Sequence, residues 1–286
     1  MTTTPKKLFV IFDPTVTQQV ALEKALLIAS MSHCEIHAYV CVYAELSRYP
    51  EFSSRQDLKF HVLEQTREQL DGWMLRCSDN DIPYKTEISW NQNWVEMATQ
   101  AIARSGSDLV IKSSFYHDKV KRFLYKTSDF YLMRYCSSPV LFTHRPQQWQ
   151  SSHMVACVDL ESNDAEHKRL NNSIIKNAKI LSTTLGMELT IATAYDKGFN
   201  NSVLQLVKES SVGTRESLAE IFGVDVDHLL LRQGATVETL HTISEEIEAS
   251  IMVIGSLART GISGKLIGNT AEKLLDTVNA DIVTIS

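Results

Sequence analysis

Several patterns that mark common enzyme classes are missing from this chain of 286 residues. The P-loop pattern Gly-x4-Gly-Lys-Ser/Thr does not occur, because Gly264-Lys265 is followed by leucine and no glycine lies five residues before Gly264. Gly-x-Gly-x-x-Gly and Gly-x-Ser-x-Gly do not occur either. These absences argue against a P-loop NTPase, a nicotinamide enzyme and a serine hydrolase of the nucleophile-elbow type.

Cysteine and histidine are too few and too scattered to build a metal site or a disulfide framework. The five cysteines form no Cys-x-x-Cys pair and are odd in number, which indicates reduced, mostly structural thiols in a cytoplasm. Among the nine histidines, His33 and His37 straddle the predicted end of a helix and the start of a strand. We therefore predict no metal site and no catalytic residue.

The chain also lacks a basic excess and a long apolar run. Its net charge of -6 argues against a general nucleic-acid binder. No apolar segment approaches the length of a membrane span, and no secretory core follows the N-terminal Met-Thr-Thr-Thr-Pro-Lys-Lys. A hydrophobic content of 44% is enough for a real core. These features predict a cytoplasmic globular protein with no membrane or nucleic-acid partner.

Short apolar runs alternate with segments of helical periodicity along the whole chain, which predicts βαβ crossovers and a parallel, doubly wound α/β sheet. The predicted strands are residues 8–12, 35–42, 83–89, 108–112 and 139–143, then 155–159, 187–194, 227–232, 250–255 and 281–285. The predicted helices are residues 18–32, 56–77, 95–104 and 127–135, then 164–185, 202–222, 236–249 and a helix from Gly268 to Val278.

This order of elements occurs twice. Asp159 repeats Asp13 at a shift of 146 residues, and Gly255 and Thr270 repeat Lys112 and Thr127 at a shift of 143. The segment 144–152 between the halves is a plausible linker. We predict two tandem domains, residues 1–145 and residues 151–286, of about 140 residues each.

The stretch 251–270 has the strongest functional pattern. Four apolar residues predict a buried strand, and a segment with glycines at 255, 261, 264 and 268 leads from it into a helix. Glycine lets a backbone approach an anion closely, and the orphan N–H groups of a helix start supply positive potential. The pattern is typical of a phosphate-binding loop, although these glycines would also serve a tight turn and close helix packing.

The second half resembles the universal stress proteins, whose ATP-binding members carry Gly-x2-Gly-x9-Gly-Ser/Thr between a strand and a helix and an aspartate at the first strand tip. The tandem arrangement is most similar to two-domain E-type members, and the resemblance covers essentially the whole chain. Alanine stands in place of the second glycine and asparagine in place of the Ser/Thr. The matching positions are Asp159, Gly255, Ala258, Gly268, Asn269 and Thr270.

The resemblance implies two Rossmann-like halves (adenine nucleotide alpha hydrolase-like), paired through their final strands about a pseudo-two-fold axis, and it leaves a further homodimer possible. It implies a stress-response protein that binds ATP or a related nucleotide, with Mg, in the second half. The loop from Gly255 to Thr270 would hold phosphate and Asp159 would accept from ribose or adenine. Binding without strong catalysis is predicted.

The first half lacks the loop glycines. The residues that align with the five loop positions are Lys112, Phe115, Asp118, Lys121 and Tyr125, so side chains fill the space of a phosphate and this half is predicted to bind no nucleotide in the family's way. Asp13 keeps its strand-tip position without a phosphate loop beside it. A run of cations is interpreted as a solvated face rather than an anion site; it comprises Lys112, Lys119, Lys121, Arg122 and Lys126.

Two alternatives remain open from the sequence. One is a scaffold or binding protein that has lost ATP, in which the segments 44–80 and 196–222 enclose a more apolar ligand near the domain junction. Trp73, Trp90 and Trp94 cluster in sequence around the third strand and are interpreted as core packing rather than as the lining of a pocket. The other is a slow ATP hydrolase, for which the loop offers no evident base.

Overall fold

The computed structural model describes residues 4–114, 128–144, 149–162, 164–195, 214–256, 259–260, 266–267 and 269–286. The chain divides into two compact units. One consists of Pro5–Gln148 and the other contains Trp149–Ser286. None of the helices described is long and apolar enough to cross a membrane.

The first unit is a five-stranded parallel sheet with helices in its crossovers. The order of its strands is β3-β2-β1-β4-β5, so the direction of winding reverses between β1 and β4. Its elements are β1 Lys7–Ile11, α1 Val20–Ser32, β2 Glu35–Val42, α2 Arg55–Ser78, β3 Tyr84–Trp90, α3 Trp94–Ser105, β4 Leu109–Ser113, α4 at residues 128–135 and β5 Val140–Thr143.

The second unit repeats this order. Its strands run β8-β7-β6-β9-β12, all in parallel pairs, with the reversal between β6 and β9. Its elements are β6 His153–Cys157, α5 Ala165–Leu185, β7 Glu188–Tyr195, α6 Thr214–Phe222, β8 Leu229–Gln233, α7 Thr236–Glu246, β9 Ile251–Gly255, the short strands β10 Arg259–Thr260 and β11 Leu266–Ile267, α8 Asn269–Thr277 and β12 Asp281–Ile285. The parallel α/β fold predicted from the sequence is confirmed, whereas the pairing of the halves through their last strands stays a prediction.

The central strands are buried on both faces, as their uninterrupted apolar runs predict. Leu8, Phe9 and Val10 of β1 and Val155 and Ala156 of β6 have no exposed surface. Local side-chain bonds fix where helices begin. The Ser54 hydroxyl accepts from the Asp57 N–H at the start of α2, and the Asp164 carboxylate accepts from the N–H groups of Glu166 and His167 at the start of α5.

All five cysteines lie within the residues described and carry free thiols. Four are buried and Cys41 is half-buried. Burial is the main cause that raises the pKa of every one of these thiols, to about 11 for Cys77 and Cys136 and to about 12 for Cys157.

Candidate functional site

A cavity of about 350 Å³ opens in the second unit at the carboxyl ends of β6 and β9. This is the point where the strand order reverses, and open α/β sheets bind ligands in the crevice at such a point. Three of the predicted site residues, Asp159, Gly255 and Thr270, line the same cavity. The apolar part of the lining comes from Cys157, Val158, Leu170, Ile174, Ala194, Leu240, Ile254, Ala271 and Leu274.

Asp159 follows the end of β6 by two residues and is fixed through both its backbone and its carboxylate. Its Oδ1 accepts from the N–H of Glu161 at 2.9 Å, and its Oδ2 accepts from the Ser162 hydroxyl at 2.8 Å. The side-chain amide of Asn171 accepts from the Asp159 N–H at 3.1 Å and donates to the Asp159 carbonyl at 2.6 Å. The carboxylate is therefore held in one orientation at the mouth of the cavity.

His167 also lines this cavity, and the carboxylate of Asp164 orients its ring. The distance from His167 Nδ1 to Asp164 Oδ2 is 2.6 Å, and the distance from Nε2 to Asp159 Oδ2 is 4.0 Å. The pKa of the Asp164 carboxyl is lowered, first by the His167 backbone N–H and then by the His167 side chain. The ionised carboxylate only accepts, so Nδ1 carries the proton and Nε2 is the nitrogen on the side of Asp159.

Gly255 ends β9 where α5 packs closely on the strand. A Cβ at this position would lie 2.5 Å from Leu170 Cδ2 and 3.3 Å from Ile174 Cδ1, both side chains of α5. The first distance is shorter than real Cβ contacts, so the Leu170 side chain would have to move to admit any larger residue. The glycine thus lets α5 pack directly against the strand, which is the structural role that the sequence offered beside phosphate binding.

The helix start predicted after the glycine-rich segment is present, since α8 begins at Asn269 and Thr270 lies in its first turn at the cavity wall. Ala258 and Gly268 lie outside the described residues. Within the predicted loop, β10 and β11 form an antiparallel pair that the sequence reading did not foresee; Thr260 faces Leu266 across it. Two residues per strand are too short to give a periodic signal.

Asp13 in the first unit is held as Asp159 is in the second. Its Oδ1 accepts from the Thr15 N–H at 2.9 Å, and the Gln19 side chain accepts from the Asp13 N–H at 3.2 Å and donates to the Asp13 carbonyl at 2.7 Å. Gln19 is 4% exposed. The two units thus use the same amide clamp on the aspartate that follows their first strand.

Lys112 corrects one prediction. It was expected on a solvated face, but it is 5% exposed and its Nζ lies 2.6 Å from Asp129 Oδ1. The other oxygen of Asp129 accepts from the Ser114 hydroxyl at 2.5 Å. The remaining four cations of that run lie outside the described residues. A buried ammonium needs a partner of opposite charge. Here that partner, Asp129, is 17 residues away in the sequence, and a run of cationic residues does not reveal it.

The sequence reading missed three residues of this architecture, Gln19, Asn171 and His167. A signal existed for Asn171, which lies among Leu170, Ile174 and Ile175 on the apolar face of α5, where an amide needs a specific partner. His167 and its partner are three residues apart at a helix start, a spacing that allows contact. The sequence does not show which face of α5 lines the cavity, because that depends on how the helix packs on the sheet.

The universal stress protein family model matches residues 172–286. "Universal stress protein E" of Escherichia coli K12 is 24% identical over 296 residues, which covers 98% of this chain and 93% of that protein. The "Universal stress protein E homolog" of Haemophilus influenzae is 24% identical over 300 residues, covering 98% and 97%. Residues 172–286 therefore match the universal stress protein family, and the whole chain is similar to the two-domain E-type proteins.

Solved structures agree on the fold of this chain. A universal stress protein from Archaeoglobus fulgidus gives a TM-score of 0.74 at 15% identity, covering 98% of each chain. A functionally unknown protein from Pseudomonas aeruginosa PAO1 gives 0.72 at 25% identity, covering 98% of this chain and 92% of that one.

Proposed function

We propose that the second unit binds ATP or a related adenine nucleotide together with a divalent ion, as a stress-response input in the cytoplasm without strong catalysis. One observation carries this proposal. A single cavity at the winding reversal brings together Asp159, Gly255 and Thr270 beside the first turn of α8. The family's nucleotide site combines three parts, which are an aspartate at the tip of the first strand, a glycine at the end of a later strand and the start of the helix that follows.

Different parts of the described lining suit the base and the phosphate end of a nucleotide. The apolar floor from Leu170, Ile174 and Leu240 suits the faces of an adenine ring, and the fixed Asp159 carboxylate suits ribose hydroxyl or adenine amine donors. The first turn of α8, at Asn269 and Thr270, offers N–H groups to phosphate oxygens.

The charge of the cavity explains why a metal ion belongs to this proposal. Among its described lining residues the ionisable groups are Asp159, Glu161, His167 and the thiol of Cys157, with no lysine or arginine. Two carboxylates would repel a bare polyphosphate. Mg²⁺ bound to the phosphate oxygens would reduce that repulsion, so nucleotide affinity should depend on the ion.

Calorimetric titration of the full chain with ATP, with Mg²⁺ and then with EDTA, tests the proposal. We expect saturable binding that weakens without the metal. Asp159→Asn keeps an oxygen for the Glu161 N–H but loses the charge, and it should weaken binding by about tenfold.

The matched control is Asp225→Asn, which removes an exposed aspartate of the same unit whose side chain makes no cap hydrogen bond. It should bind ATP as the wild type does. Absence of binding at millimolar ATP with Mg²⁺, or equal weakening by both variants, would remove the nucleotide proposal in favour of a scaffold or another ligand.

Slow hydrolysis is a second candidate because the structure supplies the base that the loop lacked. His167 is oriented by Asp164, lines the cavity and has its Nε2 on the side of Asp159. A histidine nitrogen placed in this way can act as a general base toward a water molecule. If hydrolysis occurs, His167→Gln should reduce phosphate release by about 100-fold or more while ATP still binds. Release that His167→Gln leaves unchanged would exclude this role.

A further inference from the structure

The first unit contains a cavity larger than that of the second. It has a volume of about 630 Å³ and opens at the carboxyl ends of β1 and β4, the reversal point of this unit's strand order. Residues from the end of β2 and from α2, including Val62 and Gln69, form its other walls. The volume lies within the range of small-molecule sites. Nothing in the proposed nucleotide function uses it.

Aromatic side chains dominate the apolar part of the wall, and partners outside the cavity support them. Phe12 stacks on Trp73 at 5.4 Å between ring centroids, Tyr43 contacts Trp90 at 5.5 Å, and Tyr49 contacts Phe52 at 6.5 Å.

The fourth lining ring is that of Trp94. It has the Lys112 ammonium 5.8 Å from its centroid. Among the described ring contacts, no lining ring packs on another lining ring. Trp73, Trp90 and Phe52 thus hold three of the rings from outside the cavity, and the Arg55 guanidinium lies 5.8 Å from the centroid of Tyr43. Rings fixed in this way lower the ordering cost of binding.

The described lining of this cavity offers no free cation to a phosphate. Its lining contains one lysine, Lys112, and the ammonium of that residue is already bound by Asp129 at 2.6 Å. The lining carboxylate is Asp13, whose Oδ1 is held by Thr15. Lys112 and Asp129 cancel, and the Arg55 guanidinium outside the lining donates to the Tyr43 hydroxyl at 3.2 Å. The Asp13 carboxylate therefore remains as the charged group that a ligand in the cavity would meet, and it attracts a cation or an uncharged hydrogen-bond donor.

Amide side chains complete the wall. Gln65 and Gln69 come from α2, and Asn91 and Gln92 come from the segment after β3. Amides both donate and accept, so they suit the ring nitrogens and exocyclic amines of a heteroaromatic molecule.

We propose that this first-unit cavity binds a planar heteroaromatic small molecule that carries no phosphate and is either uncharged or singly positive. That chemistry is matched by the fixed aromatic rings, by the amide side chains, by the Asp13 carboxylate and by the neutralisation of Lys112 by Asp129. The first unit is then a second binding site with a different ligand class, in the place where the second unit has its nucleotide cavity.

Fluorescence titration of the full chain with proflavine, a planar monocationic dye, tests the proposal, with adenosine as an uncharged competitor and the anion fluorescein as a counter-probe. We expect saturable proflavine binding, displacement by adenosine and no comparable binding of fluorescein. Asp13→Asn should weaken proflavine by about tenfold and adenosine less.

Trp94→Leu should weaken both proflavine and adenosine because it removes a ring face. If that variant unfolds, Tyr49→Leu at the more exposed side of the wall provides the same measurement. Asp71→Asn, an exposed aspartate of α2 outside the lining, is the control and should bind as the wild type does.

Three results would overturn the proposal: no saturable binding of proflavine or adenosine at millimolar concentration, equal affinity for fluorescein, or wild-type binding by folded Asp13→Asn and Trp94→Leu variants. The ATP titration is judged separately by its own variant, Asp159→Asn, which lies in the other unit.

Discussion

At the scale of single residues, one exchange separates the chemistry of the two units. Gly255 ends β9 with no side chain, and the aligned Lys112 lies in β4 with its ammonium buried against Asp129. The first unit therefore carries its own ion pair where the second keeps bare backbone. A buried pair contributes little net stability, but either member alone is costly because its charge stays desolvated.

Lys112→Met should lower the free energy of unfolding by about 3–5 kcal/mol, because Asp129 would remain buried without its cation. Urea denaturation measures this loss. The double variant Lys112→Met/Asp129→Asn should lose less than the sum of the two single variants, because neither charge remains. Additive losses would mean that the two groups do not interact as the 2.6 Å distance indicates.

Gly255→Ala tests the close contact of β9 with α5. The new Cβ would displace Leu170, a residue that lines the cavity proposed to bind ATP, so we expect weaker ATP binding and a loss of about 1 kcal/mol in the free energy of unfolding. Gly72→Ala is the control, since a Cβ there meets nothing within 4 Å and Gly72 lies inside α2. That change should stabilise the chain by about 0.5–1 kcal/mol. An unaltered ATP affinity in Gly255→Ala would show that Leu170 does not shape the site.

At the scale of elements, the sequence predicted most of the helices and strands but few of the side-chain contacts that make the two cavities differ. The strand Glu35–Val42 was predicted with the bounds that the structure gives it, because a run of apolar letters is a local signal. The helix after Gly268 was predicted from the change of pattern at a glycine. Of the predicted helix 202–222, the described part, Thr214–Phe222, is helical.

The cavities and the side-chain contacts were harder to predict because they join positions that lie apart in the sequence. Asp129 is 17 residues from Lys112, and Asn171 is 12 residues from Asp159. Trp94 was predicted to pack in the core, whereas it lines the first-unit cavity and lies beside the Lys112 ammonium. Burial of a polar group depends on a partner that only the fold brings near.

The start of α5 gives a pH dependence with a defined sign. The folded-state pKa of Asp164 is lowered below its usual 3.8, mainly by the His167 backbone N–H. The stability that the Asp164 carboxylate contributes is therefore complete above the unfolded-state pKa and is lost as pH falls through the folded-state pKa. Asp164→Asn keeps a capping oxygen without the charge.

Thermal unfolding of both proteins from pH 6 down to about pH 3 checks this sign. The wild type should be more stable at pH 6, and the difference should shrink below about pH 4. Asp164→Ala, which removes the cap entirely, should remain destabilised throughout. A wild-type advantage that grows on acidification would contradict the assignment.

At the scale of the whole molecule, one chain carries two copies of one strand order with two kinds of cavity at the same place in each. Both copies fix the aspartate after their first strand with a side-chain amide, Gln19 in one and Asn171 in the other. The frame therefore does not determine the ligand. The lining does, through the presence or absence of phosphate donors and ring faces.

We therefore expect two separable binding events on one chain. Asp159→Asn should weaken ATP and leave the proflavine titration unchanged, and Asp13→Asn should do the reverse. Titrating each ligand in the presence of the other gives the coupling between them directly. Loss of both activities in either single variant would contradict separate sites.

The buried thiols have a consequence for how such a protein meets oxidative stress. Peroxide and alkylating agents attack thiolates, and the raised pKa of every cysteine keeps these sulfurs protonated at neutral pH. The chain should pass through a peroxide burst without sulfenic acid or crosslinks, as intact-mass spectrometry would record. Any oxidative signal that thiols would carry elsewhere would then have to reach this chain as a change in small-molecule concentration, because its own thiols stay protonated.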